Sequence, residues 1–172
     1  MNRTVLPLAL LLLVLGVAVI AFSERPWAPR ADVVQPIPFS HRVHAGVNKI
    51  PCQYCHAYAS RSEEPGIPAV ARCVGCHGNG IVGRGGIEPV TRPWTDDTQP
   101  PFEIHWNRVY TMPDFVRFPH NPHIHAGVQC QNCHGPVETM DRIVPAVEIN
   151  MGFCVDCHTK RGATLDCVGC HH

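Results

Sequence analysis

Five times along its 172 residues the chain carries Cys-x-x-Cys-His, at 52–56, 73–77, 130–134, 154–158 and 167–171, and these motifs take up all ten cysteines. Whatever fold the chain adopts must present five dithiols, each with an imidazole directly behind it. A disulfide framework does not ask for a histidine after every second cysteine. A four-cysteine zinc knuckle uses its motifs in pairs, and five is odd. A thioredoxin-like redox site needs a βαβ surround, which none of the five has.

The spacing has a chemical reading. Two thiols three positions apart can each form a thioether with one vinyl group of a haem, and the next histidine then lies beneath the iron. Cys52, Cys55, Cys73, Cys76, Cys130, Cys133, Cys154, Cys157, Cys167 and Cys170 are the predicted thioether donors. His56, His77, His134, His158 and His171 are the predicted proximal ligands. The expected cofactors are five covalently bound haem c, and the class is multihaem cytochrome c.

Composition supports a fold built on these groups. Seventeen prolines and fourteen glycines oppose long helices and broad sheets. Beyond the first 22 residues, apolar residues other than cysteine make up only roughly a third of the chain, below the globular norm. So small an apolar complement leaves a weak core for this length. Five flat cofactors would supply the missing volume, giving a haem-templated fold of short helices and loops with little sheet. The formal net charge is zero, so nothing points to nucleic acid.

Residues 1–23 open with Arg3 and run apolar from Val5 to Phe22, interrupted by Pro7 and Gly16. That length is at the short end of a membrane span. No clean small-x-small cleavage site follows, which favours an uncleaved signal-anchor, one N-terminal transmembrane helix, over a removed signal peptide. Trp27 suits the interfacial aromatic belt. Because c-type haem is attached outside the bacterial cytoplasm, the haem domain is expected on the periplasmic side of the inner (cell) membrane. Residues 24–38 read as a proline-rich stalk, and 39–172 as the pentahaem domain.

That domain contains an imperfect repeat. Phe39-x-His41-x-x-His44, His44-Ala45-Gly46-Val47, the first motif and the second motif reappear as Phe118-x-His120-x-x-His123, His125-Ala126-Gly127-Val128, the third motif and the fourth. The first two pieces overlap at His44 but stand two residues apart in the second copy. Two dihaem modules follow, 39–77 and 118–158, with a fifth haem at 167–171. Gly78 to Phe102 is a glycine- and proline-rich loop, read either as a partner surface or as plain coil. Glu103 to Val116 is expected to hold a short helix ending near Pro113.

Five irons need five distal ligands. Twelve histidines less five proximal ones leave seven. His41, His44, His120 and His123 sit pairwise just upstream of a motif, with i and i+3 on one helical face, and are the first choice. For the remaining iron Met151 is the leading thioether donor and Met140 the alternative, with His105, His125 and His172 as further candidates.

In these residues the chain resembles the pentahaem cytochrome subunit of alternative complex III, a quinol:electron-acceptor oxidoreductase. The resemblance runs through Pro36 to His44, Tyr54 to His56, Gly66-Ile67-Pro68, Pro113 to His123, Gly127 to Gly135 and Met151 to His158. Tyr110 departs from it, standing where that family has a histidine. The resemblance implies an electron-transfer subunit that is not an enzyme by itself. Its implied partners are an iron–sulfur, molybdoenzyme-like subunit, quinol-oxidising integral membrane subunits, a monohaem cytochrome c and the lipid bilayer. Two other functions compete: a small membrane-anchored quinol dehydrogenase feeding a periplasmic reductase, and a multihaem nitrite reductase. The latter would need an open iron position, and the chain has no Cys-x-x-Cys-Lys.

Overall fold

A computed structural model describes residues 5–23, 33–78, 82 and 103–171. The 24–32 part of the stalk, nearly all of the 78–102 loop, and His172 lie outside these described residues. The elements run in the order α1 (Val5–Ser23), a π-helical turn (Arg42–Val47), α2 (Cys52–Cys55) and α3 (Val70–His77). Then come α4 (His120–His125), α5 (Gln131–His134), a 3-10 turn (Val137–Thr139), α6 (Met151–Arg161) and a second 3-10 turn (Cys167–Gly169). There is no sheet among the described residues. An antiparallel bridge joins Val116 to His171.

Helix α1 has 19 residues, a rise of about 28 Å, just under the ~30 Å of a bilayer's hydrocarbon. Among the described residues no helix is long and apolar enough to cross a membrane. The large apolar side chains along α1 are exposed, from Leu15 at 52% to Val19 at 66%.

The segment 103–112 is not helical, contrary to the sequence expectation. Its backbone is engaged from the side. The Asn107 amide donates to Gln35 Oε1 at 2.9 Å, and Gln35 Nε2 donates back to the Asn107 carbonyl at 2.9 Å. A side-chain amide thus pairs with the main chain as a neighbouring strand would. Asn107 Nδ2 adds a bond to the Val34 carbonyl at 2.6 Å, tying the end of the stalk to this segment.

The described residues form almost no hydrophobic core. Among the described residues Ala59 and Val70 are the buried hydrophobic side chains, joined by the buried Gly78, Gly135 and Pro145. Polar and backbone contacts join the modules instead. The Arg42 amide donates to the Met140 carbonyl at 2.9 Å, while Ser40 Oγ and Arg42 Nε both reach the Asp141 carboxylate, at 2.5 and 2.9 Å. Gly46 lies so close to the Glu138 carbonyl that any β-carbon would collide with it. On the other side Arg117 pairs with Glu63, whose carbonyl accepts from the His120 amide at 2.9 Å.

Candidate haem sites

Each motif is wound as about one helical turn. In the first, third and fifth, the histidine amide bonds the carbonyl of the first cysteine: His56 to Cys52 at 2.9 Å, His134 to Cys130 at 2.9 Å, His171 to Cys167 at 2.8 Å. The second and fourth lie within α3 and α6. One turn brings positions i, i+3 and i+4 to one side, so both thiols and the imidazole of each motif share a face. Asn150 caps the start of α6 by accepting from the Phe153 amide at 2.9 Å.

The histidines upstream of the motifs meet those inside them. The ring centres of His44 and His77 lie 6.1 Å apart, those of His120 and His134 6.4 Å, and those of His123 and His158 6.0 Å. Two imidazoles bound through nitrogen to one metal, each bond about 2.0 Å long, place their ring centres roughly 6–6.5 Å apart. The three pairs match that span. They also settle the register of the repeat: the Phe-x-His-x-x-His pieces are equivalent in space, His44 with His123. His125 is exposed and takes no part in a ring pair shown here.

Hydrogen bonds fix which ring nitrogen is free. His44 Nδ1 lies 2.8 Å from the Ser40 carbonyl, His123 Nδ1 2.8 Å from that of Pro119, and His120 Nδ1 2.9 Å from that of Glu63. Among the proximal histidines, His56 Nδ1 meets the Gly66 carbonyl at 2.7 Å and His158 Nδ1 that of Thr164 at 2.6 Å. A carbonyl can only accept, so Nδ1 carries the proton and a neutral ring keeps its lone pair on Nε2. That is the arrangement of a histidine oriented for metal binding. Two left-handed glycines bring the acceptors round: Gly66 at φ +73 offers its own carbonyl, and Gly162 at φ +61 ends α6 two residues before Thr164.

Burial disfavours the charged form of two of these rings. Burial, with His56 and His44 nearby, lowers His41 to about 4. Burial also lowers His134, helped by His120 and His56. The closeness of His41 to His56 matches the repeat, which pairs His120 with His134. The Nδ1 atoms of His41 and His77 are buried without a partner. Burial raises the thiols of Cys55, Cys73, Cys130, Cys133 and Cys154.

The same contacts order the motifs in space. Cys55 lies near Cys76, Cys52 near Cys130, Cys133 near Cys154 and Cys157, and Cys154 near Cys170. The first motif is therefore the junction between the modules, with the second on its far side. Between the first two motifs lies an open cleft of about 450 Å³ lined by Tyr54, Cys55, Ile67, Arg72 and Gly75. The Arg72 guanidinium sits 4.8 Å from the Tyr54 ring centre.

These features fit haem: five dithiol–imidazole faces, three opposed imidazole pairs at the right span, four of those rings with Nε2 free, and, among the described residues, hardly any apolar core. The fifth motif differs. The ring shown beside His171 is Phe115, at 5.9 Å. His105 is exposed, and Met151 is 68% exposed. Met140 is half-buried, with its terminal methyl 3.6 Å from where a Gly135 β-carbon would stand. Tyr110 packs edge-on against His134 at 4.8 Å and accepts from the Ala146 amide at 3.4 Å. The carbonyls of Ser40, Glu63, Pro119 and Thr164 were not legible as site groups, since any residue supplies one. Only Gly66 and Gly162 leave a sequence trace.

Residues 116–172 match the family described as cytochrome c7 and related cytochrome c. The chain is also similar to the menaquinone reductase, multiheme cytochrome c subunit, of Nitratidesulfovibrio vulgaris, with 31% identity over 115 residues. That stretch covers 66% of this chain and 50% of the relative, so the chain spans about half the length of the protein it matches. Both comparisons point to a multihaem cytochrome c.

Proposed function

We propose that this multihaem cytochrome c carries five haems and serves as the electron-relay subunit of a membrane quinol:acceptor oxidoreductase of the alternative complex III kind. The observation that carries the reading is the three opposed histidine pairs, with Nδ1 of His44, His120, His123 and His158 held by carbonyls. Bound haem supplies a one-electron ferric/ferrous couple. The chain's own residues do the rest. Ten cysteines would hold the groups through thioethers, and the five motif histidines would be proximal ligands. His41, His44, His120 and His123 would be distal ligands, with Met151 as the fifth. A carbonyl accepting from Nδ1–H raises the basicity of Nε2, which favours the ferric state and lowers the potential. The partners are an iron–sulfur subunit, quinol-oxidising membrane subunits and a monohaem cytochrome c.

Helix α1 is the anchor in this proposal, with the haem domain on the periplasmic side of the cell membrane. Its exposed leucines and valines support the reading. Replacing residues 1–23 with a cleavable signal is expected to release a soluble, haem-loaded protein.

A second reading has specific support in the similarity to a menaquinone reductase subunit. There the chain would pass electrons toward a quinone instead of away from a quinol. A third is a small anchored quinol dehydrogenase that oxidises quinol unaided. Four measurements decide. Extraction in acid and organic solvent, followed by mass measurement, is expected to leave five haems on the chain, and fewer would overturn the pentahaem assignment. Redox titration of the isolated chain with added quinol is expected to leave it oxidised, because a relay needs its partners. Reduction by quinol alone would favour the third reading. Co-purifying subunits in mild detergent, and the direction in which the purified complex turns over quinone, separate the first two.

A further inference from the structure

The two upstream histidine pairs share a neighbour that ligand counting does not use. Phe39 meets His41 edge-on, with ring centres 4.9 Å apart and planes at 84°. The same ring lies near-parallel to His44, at 4.4 Å and 22°. Phe118 repeats both contacts in the second module, with His120 at 4.9 Å and 84° and with His123 at 4.6 Å and 34°. Edge-on and offset-parallel arrangements are the favoured ones for such rings. Two modules that share only part of their sequence have kept one ring geometry, and in both it falls on the same pair of histidines.

A hydrogen bond at Nδ1 fixes the tautomer and one point of an imidazole. It does not fully fix the ring plane, because the histidine χ2 torsion has a broad well. An aromatic face against the ring narrows that well. For His41, whose Nδ1 has no partner, the edge contact with Phe39 is the ring restraint the structure shows. The planes that result are distinctive. His44 crosses His77 at 48° and His123 crosses His158 at 45°, whereas His120 and His134 lie within 9° of parallel.

We propose that Phe39 and Phe118 are positioning residues, each setting the ring planes of two distal histidines that serve two different haems. Each module's pair of irons then shares one orienting side chain. The inference rests on the distal role of His41, His44, His120 and His123 given above. It goes beyond that role in assigning one phenylalanine to two metal centres.

The test uses the haem-loaded full chain and reads the electron paramagnetic resonance of its ferric haems, together with a spectropotentiometric titration. The angle between axial imidazole planes governs the anisotropy of a low-spin ferric signal. Phe39→Leu is expected to shift two of the five signals and two of the five midpoints. Phe118→Leu is expected to shift a different two. Phe39→Tyr and Phe118→Tyr, which keep the ring, are expected to stay at the wild-type values. Where a leucine variant loads fewer than five haems, Phe39→Met or Phe118→Met takes its place. Signals unchanged in the leucine or methionine variants would overturn the proposal. So would an equal shift of all five, or a tyrosine variant that behaves like leucine. Haem count by extraction keeps the two readings apart: fewer than five in the wild type removes the pentahaem reading, whatever the phenylalanines do.

Discussion

His44 stands 6.1 Å from His77, centre to centre, although it lies immediately upstream of the first motif and His77 closes the second. His123 stands in the same relation to His158. The second histidine of each upstream pair therefore reaches past the nearest motif to the following one. The first serves the nearer motif, directly visible as His120 against His134. One short helical turn thus ties two haem sites together. This explains how a chain with so few buried side chains can hold its modules in shape.

His44→Ala is accordingly expected to open one coordination position at the second site, leaving the covalent haems at full number. The ferrous protein should then bind one carbon monoxide, and its ferric spectrum should gain one high-spin component. Combining His44→Ala with Cys73→Ala and Cys76→Ala, which removes the second haem, should abolish that carbon monoxide site. If carbon monoxide binding survives in the triple variant, His44 serves some other iron.

Much of this was legible in the sequence, and the limits have physical causes. The motifs, the proximal histidines and the upstream pairs follow from fixed spacings, since covalent attachment leaves the chain little freedom. The register of the repeat was ambiguous between His123 and His125, because Phe-x-His-x-x-His and His-Ala-Gly-Val overlap in one copy and not in the other. The corresponding pairing of His44 with His77 and of His123 with His158 resolves it. The helix expected over Glu103 to Val116 failed because Gln35, far away in sequence, pairs with the Asn107 main chain. Periodicity within a window carries no signal from outside it. The contact of Cys52 with Cys130, which makes the first motif the junction, is likewise long-range and left no local mark.

The module joint should respond to acid. Hydrogen bonds from Arg42 and then Ser40 hold the Asp141 carboxyl below its ordinary range. A carboxyl depressed in the folded state contributes stability that is fully present above its unfolded value, about 3.9. That contribution is lost as pH falls through the lower folded value. Both side chains of the Arg42–Asp141 pair are more than half exposed, at 51% and 62%, so the effect should be small and weakened by salt. Thermal midpoints of the wild type and Asp141→Asn should differ at about pH 6 and converge toward about pH 2. A gap that persists at the acid end would mean that the joint does not depend on this carboxylate.

Gly135 and Gly127 offer a matched pair of substitutions. Both have positive φ, +69 and +72, but Gly135, at ψ −167, lies in a region essentially restricted to glycine, so alanine there is strained by about 1–3 kcal/mol before any contact is counted. Around Gly127 nothing lies within 4 Å of the added β-carbon, whereas at Gly135 it would collide with the β-carbon of Ala146. Ala146 donates its amide to Tyr110, which packs on His134. Gly127→Ala should therefore lower stability by the strain alone and leave the haem potentials in place. Gly135→Ala should cost about 1–3 kcal/mol more, as overpacking does, and shift the potential of the third haem. Denaturation followed by haem absorbance, with a parallel redox titration, would show both effects. Equal losses for the two variants would mean that both the Gly135 backbone and its Ala146 contact relax freely.

The fifth distal ligand is the sharpest remaining expectation. With the four upstream histidines as proposed ligands of four irons, the two methionines of the 140–151 segment compete for the fifth, and they are differently placed. Met140 is half-buried beside Gly135, and its carbonyl accepts from the Arg42 amide at the module joint. Met151 opens α6 with its side chain 68% exposed, and as the i residue to Cys154 at i+3 it shares a helical face with that thiol. A packed thioether is held by its neighbours; an exposed one beside an attachment motif is free to ligate. Histidine–methionine ligation raises a haem's potential above that of a bis-histidine site. One haem of five should therefore titrate well above the rest, with the weak far-red band of a thioether-bound ferric iron. Met151→Leu should remove that band and Met140→Leu should leave it. Met151→His should lower the one high potential while the other four stay nearly fixed. A wild-type spectrum without the band would exclude both methionines and return the position to His105, His125 or His172.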